Sequence, residues 1–133
     1  MNKDRNQILL DSLKVDQTEI KWCFIANYYD GPISGLLHFE KAIYRFCCFE
    51  EDIPEQHVYV IQKLTLSELN RELEDKVKFE NMVGTHNSFD ENGQPLPKNT
   101  NATKQSAKQY YDEQTKFKNP SPWDQQVVAW FTL

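Results

Sequence analysis

Two short segments hold the residues of this chain that are best suited to chemistry. In residues 30–35, with the sequence DGPISG, glycines would let a ligand approach backbone amides, while Asp30 and Ser34 offer hydrogen bonds. Residues 84–86, with the sequence GTH, put a histidine at the mouth of a loop, where it could serve as a general base or a ligand contact. The candidate ligand-binding residues are Asp30, Gly31, Ser34, Thr85, His86 and Trp123.

Both segments also have a structural interpretation, which we favour. Proline removes a strand hydrogen-bond donor and glycine permits a turn, so residues 30–35 are typical of a link or bulge between two strands. They lack the Gly-Lys-Ser/Thr ending of a phosphate loop. His86 follows a predicted helix, where it would act as a capping cation near the negative end of the helix dipole.

Nucleophilic and metal chemistry have no matching motif. Ser34 is not in a Gly-x-Ser-x-Gly elbow, and the three cysteines have no recognisable Cys-His context. Neither His-Glu-x-x-His nor Cys-x-x-Cys occurs. Because Cys47 and Cys48 are neighbours in a predicted strand, they point to opposite faces, which argues against a disulfide and for a reducing cytoplasm. We predict no catalytic residue, no metal and no cofactor, with the enzyme question leaning to no.

The acidic residues favour a protein-binding role. Residues 1–83 contain 10 Lys and Arg against 15 Asp and Glu, which accounts for the net charge of -5. An acidic surface repels nucleic acid and attracts a basic partner. Four acids lie in one proline-containing connection and form a candidate docking patch: Glu50, Glu51, Asp52 and Glu55.

A β-meander over residues 19–63 must position these groups. Aromatic and β-branched residues recur at every second position, which predicts strands at 19–29, 36–39, 42–50 and 57–63. Only Glu40 and Lys41 separate the second and third strands, which predicts a tight hairpin. The first strand is predicted to present Ile20, Trp22, Phe24, Ala26 and Tyr28 on one face.

One helix and one closing strand complete the predicted domain. Thr65 and Glu68 match a capping box at the start of an amphipathic helix over residues 65–83. Residues 87–122 read as a long polar loop, and 126–132 as a terminal strand. Residues 1–18 are an N-terminal extension or short helix. The prediction is a single α+β domain over 1–133, with a four- to five-stranded, mainly antiparallel sheet.

Localisation follows from what the sequence lacks. No run of roughly 18 apolar residues occurs, and charged residues interrupt the apolar cluster of the N-terminus. We therefore expect neither a membrane span nor a secretory signal, and a cytoplasmic protein. If the terminal strand lies at a sheet edge, it could pair with a second copy to form a homodimer.

Three blocks of sequence resemble a group of small uncharacterised bacterial or phage proteins. They are residues 29–35, 83–86 and 127–131, with the sequences YDGPISG, VGTH and VVAWF. The resemblance implies that the three blocks belong to one architecture. Because the group has no known activity, the resemblance implies no functional residues.

Three functions remain open at this point. The leading hypothesis is a non-catalytic cytosolic binding protein or inhibitor, an antagonist of the immunity or anti-defence type that acts through its acidic surface. The first alternative is a protein that binds or sequesters a small ligand or nucleotide, with a pocket near residues 30–35 and Thr85-His86. The second alternative is a small enzyme that uses His86 and Asp30.

Overall fold

The fold is a curled six-stranded sheet with two helices on its outer side. The computed structural model describes residues 7, 10–28, 32–48, 58–99, 101–114 and 126–133. The elements in chain order are β1 (Leu13–Lys14), a 3₁₀ turn (Gln17–Glu19), β2 (Ile20–Tyr28), β3 (Pro32–Phe39), β4 (Ala42–Cys48), β5 (Val58–Gln62), α1 (Leu66–Met82), α2 (Lys104–Gln114) and β6 (Val127–Thr132).

The α+β class is confirmed, but the sheet is larger than predicted. Its strand order is β1-β6-β5-β4-β3-β2, with four antiparallel pairs and one parallel pair between β1 and β6. The sixth strand, β1, is only two residues long, which is too short for a hydrophobic alternation to be recognised in the sequence. Strand β6 lies between β1 and β5 and not at a sheet edge, the position from which it could have paired with a second copy.

The sheet is curled so strongly that its ends approach each other. The ring centroids of Trp22 on β2 and Phe131 on β6 are 6.2 Å apart. In a flat sheet, strands four places apart would be separated by about 19 Å. The chain also passes from β1 at one edge to β2 at the other through residues 15–19 alone, a link that spans at most about 21 Å when fully extended. Both observations require a nearly closed sheet.

Strand β2 bends at bulges, and this makes one detail of the sequence prediction wrong. The register with β3 shifts between Trp22 and Phe24, and again between Ile25 and Asn27. Because each bulge inserts an extra residue, Phe24 joins the outer cluster and Ile25 the interior one, the reverse of the predicted alternation. Gly35 permits this close approach, since a Cβ there would lie 2.0 Å from the Phe24 backbone oxygen.

Aromatic rings fill the interior of the curled sheet. Trp22 packs edge-on against Phe46 with centroids 4.8 Å apart, and Tyr59 stacks on Phe131 at 5.1 Å. Phe46 and Phe131 are fully buried, as are Leu37 and Ile61 beside them. The core therefore sits inside the curl, where these side chains occupy the space.

Helix α1 begins as predicted and packs on the outer face of β2 and β3. The Thr65 hydroxyl accepts from the Glu68 amide at 3.1 Å, and the Glu68 carboxylate accepts from the Thr65 amide at 2.9 Å. This reciprocal capping box satisfies two free amides of the first turn. Further along, Phe79 packs on Phe24 with centroids 5.3 Å apart.

The predicted loop over residues 87–122 is wrong in part, because it contains α2. The Tyr110 ring of α2 meets that of Phe79 at 5.2 Å, and the Ser106 hydroxyl donates to the Met82 carbonyl at 2.6 Å. A polar helix is thus held by a few contacts with α1. Residues 115–122 lie outside the described residues.

The first part of the same segment is bound to the sheet. The Ile25 amide donates to the Asn87 carbonyl at 2.9 Å, and the Phe89 amide donates to the Cys23 carbonyl at 3.0 Å. These bonds flank a bridge between Phe24 and Ser88, so residues 87–89 occupy the free edge of β2.

The predicted hairpin turn and the predicted short N-terminal helix have different outcomes. Glu40 and Lys41 form the predicted hairpin turn, and both have positive φ values, 50° and 64°, as a type I′ turn requires. The predicted short helix is in place at Leu10 and Asp11 but ends before β1. Neither helix with described bounds is long and apolar enough to cross a membrane.

Candidate functional site

Ser34, the candidate hydrogen-bonding residue of the glycine-rich segment, lies within β3. It pairs with Asn27 on one side and with Cys47 on the other, and only 7% of its surface is exposed. Residues 32–35 are therefore strand rather than turn, so the predicted link between two strands is wrong over these four residues, and the strand begins at Pro32 rather than at Leu36.

Thr85 ties the chain after α1 to the segment that leads to α2. Its hydroxyl donates to the Pro97 carbonyl at 2.7 Å and accepts from the Asn99 amide at 3.2 Å. The Asn99 side-chain amide in turn donates to the Glu80 carbonyl at 2.5 Å. These bonds give Thr85 a structural role.

His86 is the most accessible of the candidate site residues that the structure describes. Its side chain is exposed, and its ring centroid lies 5.5 Å from that of Phe79. Aromatic packing on the last turn of α1 holds one side of the ring and leaves the other in water. This position fits either interpretation from the sequence, a helix-end cation or a ligand contact.

The two candidate segments flank the same part of β2. Gly35 is the partner of Ile25 on one side, while Asn87 accepts a hydrogen bond from the Ile25 amide on the other. Neighbouring strands are about 4.8 Å apart, so the segments are about two strand spacings apart. The other three residues of the candidate set, Asp30, Gly31 and Trp123, lie outside the described residues.

The antiparallel order brings several strand termini to one end of the sheet. Strand β2 ends and β3 begins there, at Tyr28 and Pro32, and so do the end of β4 and the start of β5, at Cys48 and Val58. We call this the acidic end, because the connections 29–31 and 49–57 contain five acids and no Lys or Arg. These acids lie outside the described residues: Asp30, Glu50, Glu51, Asp52 and Glu55.

The opposite end carries both signs of charge around an open groove of about 610 Å³. Lys21 and His38 are cross-strand neighbours in its floor, and the hairpin turn at Glu40 and Lys41 forms one wall. Glu91 faces them from the loop after α1. The sequence prediction did not include this groove, because its lining comes from three separate parts of the chain. Its mixed charge selects neither an anion nor a cation.

A buried polar cluster between α1 and the sheet was also missed. Arg45 of β4 is 6% exposed, and its cross-strand neighbour Gln62 is fully buried. Burial raises the pKa of the Glu72 carboxyl of α1. The positive charge of Arg45 is close enough to oppose that rise in part. One signal was available in the sequence, a single arginine inside the otherwise apolar strand Ala42–Cys48.

Tyr110 and Asp75 make a second polar contact between the helices. The Tyr110 hydroxyl donates to the Asp75 carboxylate at 3.0 Å. Burial, followed by the negative charge of Asp75, raises the pKa of Tyr110 well above its ordinary value of 10.0. The phenol is therefore held as a neutral hydrogen-bond donor and is unsuited to act as a base near neutral pH.

The thiols are unfavourable nucleophiles. All three cysteines are free, with Cys23 buried and Cys47 and Cys48 half-buried. Burial raises the pKa of Cys23 and of Cys47, which keeps both as neutral thiols at neutral pH. Within the described part of the chain, no group of three His, Cys, Asp or Glu side chains could hold a metal ion.

Comparison with protein-family models, with curated proteins and with solved structures gave no match. The resemblance of the three sequence blocks to small bacterial or phage proteins therefore stays a prediction. The geometry of the chain itself carries the functional argument.

Proposed function

We propose that this protein is a non-catalytic binding protein, an antagonist of the immunity or anti-defence type, that docks on a basic protein through its acidic end. The observation that carries the proposal is the shared position of the described strand termini from which the two acidic connections leave. The five acids of these connections carry as many negative charges as the net charge of -5 of the whole chain. Charge gathered in this way speeds association with an oppositely charged surface.

The filled interior supports a surface function. A carrier of this general shape would keep a cavity inside its curled sheet for a ligand. Here Trp22, Phe46, Tyr59 and Phe131 occupy that space with rings in mutual contact. The raised pKa values of Cys23 and Cys47 likewise favour binding over nucleophilic catalysis.

The test is a pull-down at low and high salt, followed by binding measurements with the purified partner. The test variant neutralises the acidic connection with Glu50→Gln, Glu51→Gln, Asp52→Asn and Glu55→Gln. A matched control removes the same charge from four exposed acids elsewhere, with Glu19→Gln, Glu40→Gln, Glu74→Gln and Glu91→Gln.

We expect the wild type and the control variant to recover the same basic protein at low salt. The test variant should associate at least about tenfold more slowly, and wild-type association should slow as salt screens the charges. Recovery of no protein at either salt concentration would contradict the proposal. So would equal slowing of association by the two variants.

The two alternative functions have simple tests of their own. A nucleotide that binds only the native state must raise the melting temperature, so a thermal-shift screen tests the ligand alternative. For an enzyme that uses His86 and Asp30, His86→Ala should abolish turnover while the melting temperature stays unchanged.

A further inference from the structure

Arg45 is a buried cation with an unusual environment. It points to the outer face of β4, between its cross-strand neighbours Leu36 and Gln62, and α1 covers this region of the sheet. Only 6% of the surface of this residue is exposed. An arginine guanidinium carries five N–H donors and a positive charge.

No hydrogen bond or ion pair joins that guanidinium to another residue in the part of the chain that the structure describes. The neighbouring cations of α1 differ in this respect, since Lys76 pairs with Glu80 at 3.0 Å and Lys78 pairs with Glu113. None of the Arg45 nitrogens is a fully buried polar atom without a hydrogen-bond partner, so they keep some contact with solvent. A charge with so little solvent and no partner is still costly, and proteins normally pair such a group with a counter-ion.

Glu72 does not fill that role. It lies within range of the Arg45 charge but forms no ion pair with it, as judged by the distance between their charged atoms. Burial raises the pKa of its carboxyl despite the arginine nearby, so the carboxyl is a weaker counter-ion than a solvated one. In its protonated form it would be a hydrogen-bond donor.

We propose that Arg45 anchors a binding site for a small oxyanion, a carboxylate or a phosphate, between α1 and the sheet. The planar guanidinium matches two oxygens of either group. The guanidinium nitrogens reach solvent, which gives a small anion access to them. The half-buried Cys47, the next residue on the same face of β4, borders the site. This site is separate from the acidic end and stands whether or not the proposed function is right.

The experiment is a titration of the full-length chain with sodium acetate and, separately, sodium phosphate, against sodium chloride at equal ionic strength. We expect at least one of the two oxyanions to raise the melting temperature saturably, by about 5 °C or more at saturation, with no such rise in chloride. The arm that saturates at the lower concentration identifies the carboxylate or the phosphate as the ligand. A parallel titration should shift the ¹⁵N and ¹H resonances of the Arg45 Nε group.

Two variants localise the effect. Arg45→Met keeps an unbranched stem of similar length and removes the charge; it should lose the oxyanion response and melt at or above the wild-type temperature in chloride. Arg45→Lys keeps the charge without the planar fork and should weaken binding at least about tenfold. The matched control Arg71→Met removes an exposed arginine of α1 and should leave the oxyanion response unchanged.

Three results would overturn the site. The first is the absence of any saturable rise for both oxyanions, with an unmoved Arg45 Nε resonance. The second is an equal rise in Arg45→Met, which would assign the effect to bulk salt. The third is an Arg45→Met protein that melts well below wild type in chloride, because that loss would mean that a protein group already pairs with the arginine.

Discussion

The two faces of one strand show how differently this sheet uses its sides. On the interior side of β4, Tyr44 and Phe46 join a cluster of rings, and Phe46 is fully buried. On the outer side, the same strand presents Arg45 toward the helix that brings Glu72, while Cys47 packs in the apolar cluster around Val60. The interior face is specified by shape, whereas the outer face retains charges that packing alone does not require. The interior of the sheet therefore depends on packing, whereas its outer side combines packing with buried polar groups.

The largest expected effect is the loss of the bend that makes the interior closed. In Gly35→Ala the new Cβ would lie 2.0 Å from the Phe24 backbone oxygen, and only a backbone shift relieves that contact. We expect a loss of more than about 4 kcal/mol in the free energy of unfolding, measured by urea denaturation.

Gly93→Ala is the matched control for the bend. Its φ of 79° is also unfavourable, but its Cβ would meet only the Lys21 side chain at 3.6 Å. That variant should lose about 1–2 kcal/mol from backbone conformation alone. Equal losses in the two variants would mean that close approach at Gly35 does not hold the curl.

Phe46→Ala should have the next largest effect, because it removes a fully buried ring that contacts Trp22 and Tyr59. We expect a loss of about 3–5 kcal/mol in urea denaturation. The control Val77→Ala truncates a side chain of α1 that is 54% exposed and should change stability by less than about 0.5 kcal/mol. A loss below about 1 kcal/mol in Phe46→Ala would show that the interior is loosely packed.

On the outer side, Tyr110→Phe tests the hydrogen bond to Asp75. Bonds to charged groups contribute about 1.5–3 kcal/mol, so we expect a loss near the lower end of that range at pH 7. Because the folded pKa of Tyr110 is raised, the unfolded phenol ionises first as the pH rises above 10.0, and the wild type then loses stability. The variant lacks that ionisation, so the difference between the two proteins should shrink between pH 10 and pH 11. A constant difference over this range would contradict the raised pKa.

The smallest expected effect is a gain, in Glu72→Gln. Because burial raises the folded pKa of Glu72, the stability that this carboxyl contributes is fully present below its unfolded value of 4.5 and is lost as the pH rises above it. The neutral amide avoids this loss, so the variant should be slightly more stable at pH 7, by less than about 1 kcal/mol. Denaturation at pH 4 and pH 7 measures the change. A clear loss at pH 7 would instead indicate a working ion pair with Arg45.

The sequence predicted the elements whose signals are local. Period-two alternation located strands β2 to β5, and the Thr65 and Glu68 pair located the start of α1. The Glu40-Lys41 hairpin was found from its length alone. Each of these features depends on residues that are neighbours in the chain, so a single sequence contains the required information.

What the sequence did not predict depends on contacts between distant residues. At the bulge beside Phe24, one apolar residue stands where a regular strand would have another. The hydrophobic pattern of the sequence is therefore the same with or without the bulge. Helix α2 is polar and depends on Tyr110 and Ser106 reaching α1. Ser34 and Thr85 are candidate site residues because of their side-chain chemistry. In the structure, however, Ser34 takes part in strand pairing and Thr85 anchors a loop. Arg45 could be judged only once its neighbours were known.

The parallel pairing of β1 with β6 has a consequence for how the protein is made. Leu13 aligns with Ala129, so almost the whole chain lies between two residues that must meet. Pairings of this kind are slow to form, because the loop between them must close before the contact is gained. During synthesis β6 is the last strand to appear, and until it inserts, the aromatic cluster lacks Phe131 and stays open to water. A nascent chain that stalls before β6 would therefore be a substrate for chaperones and proteases.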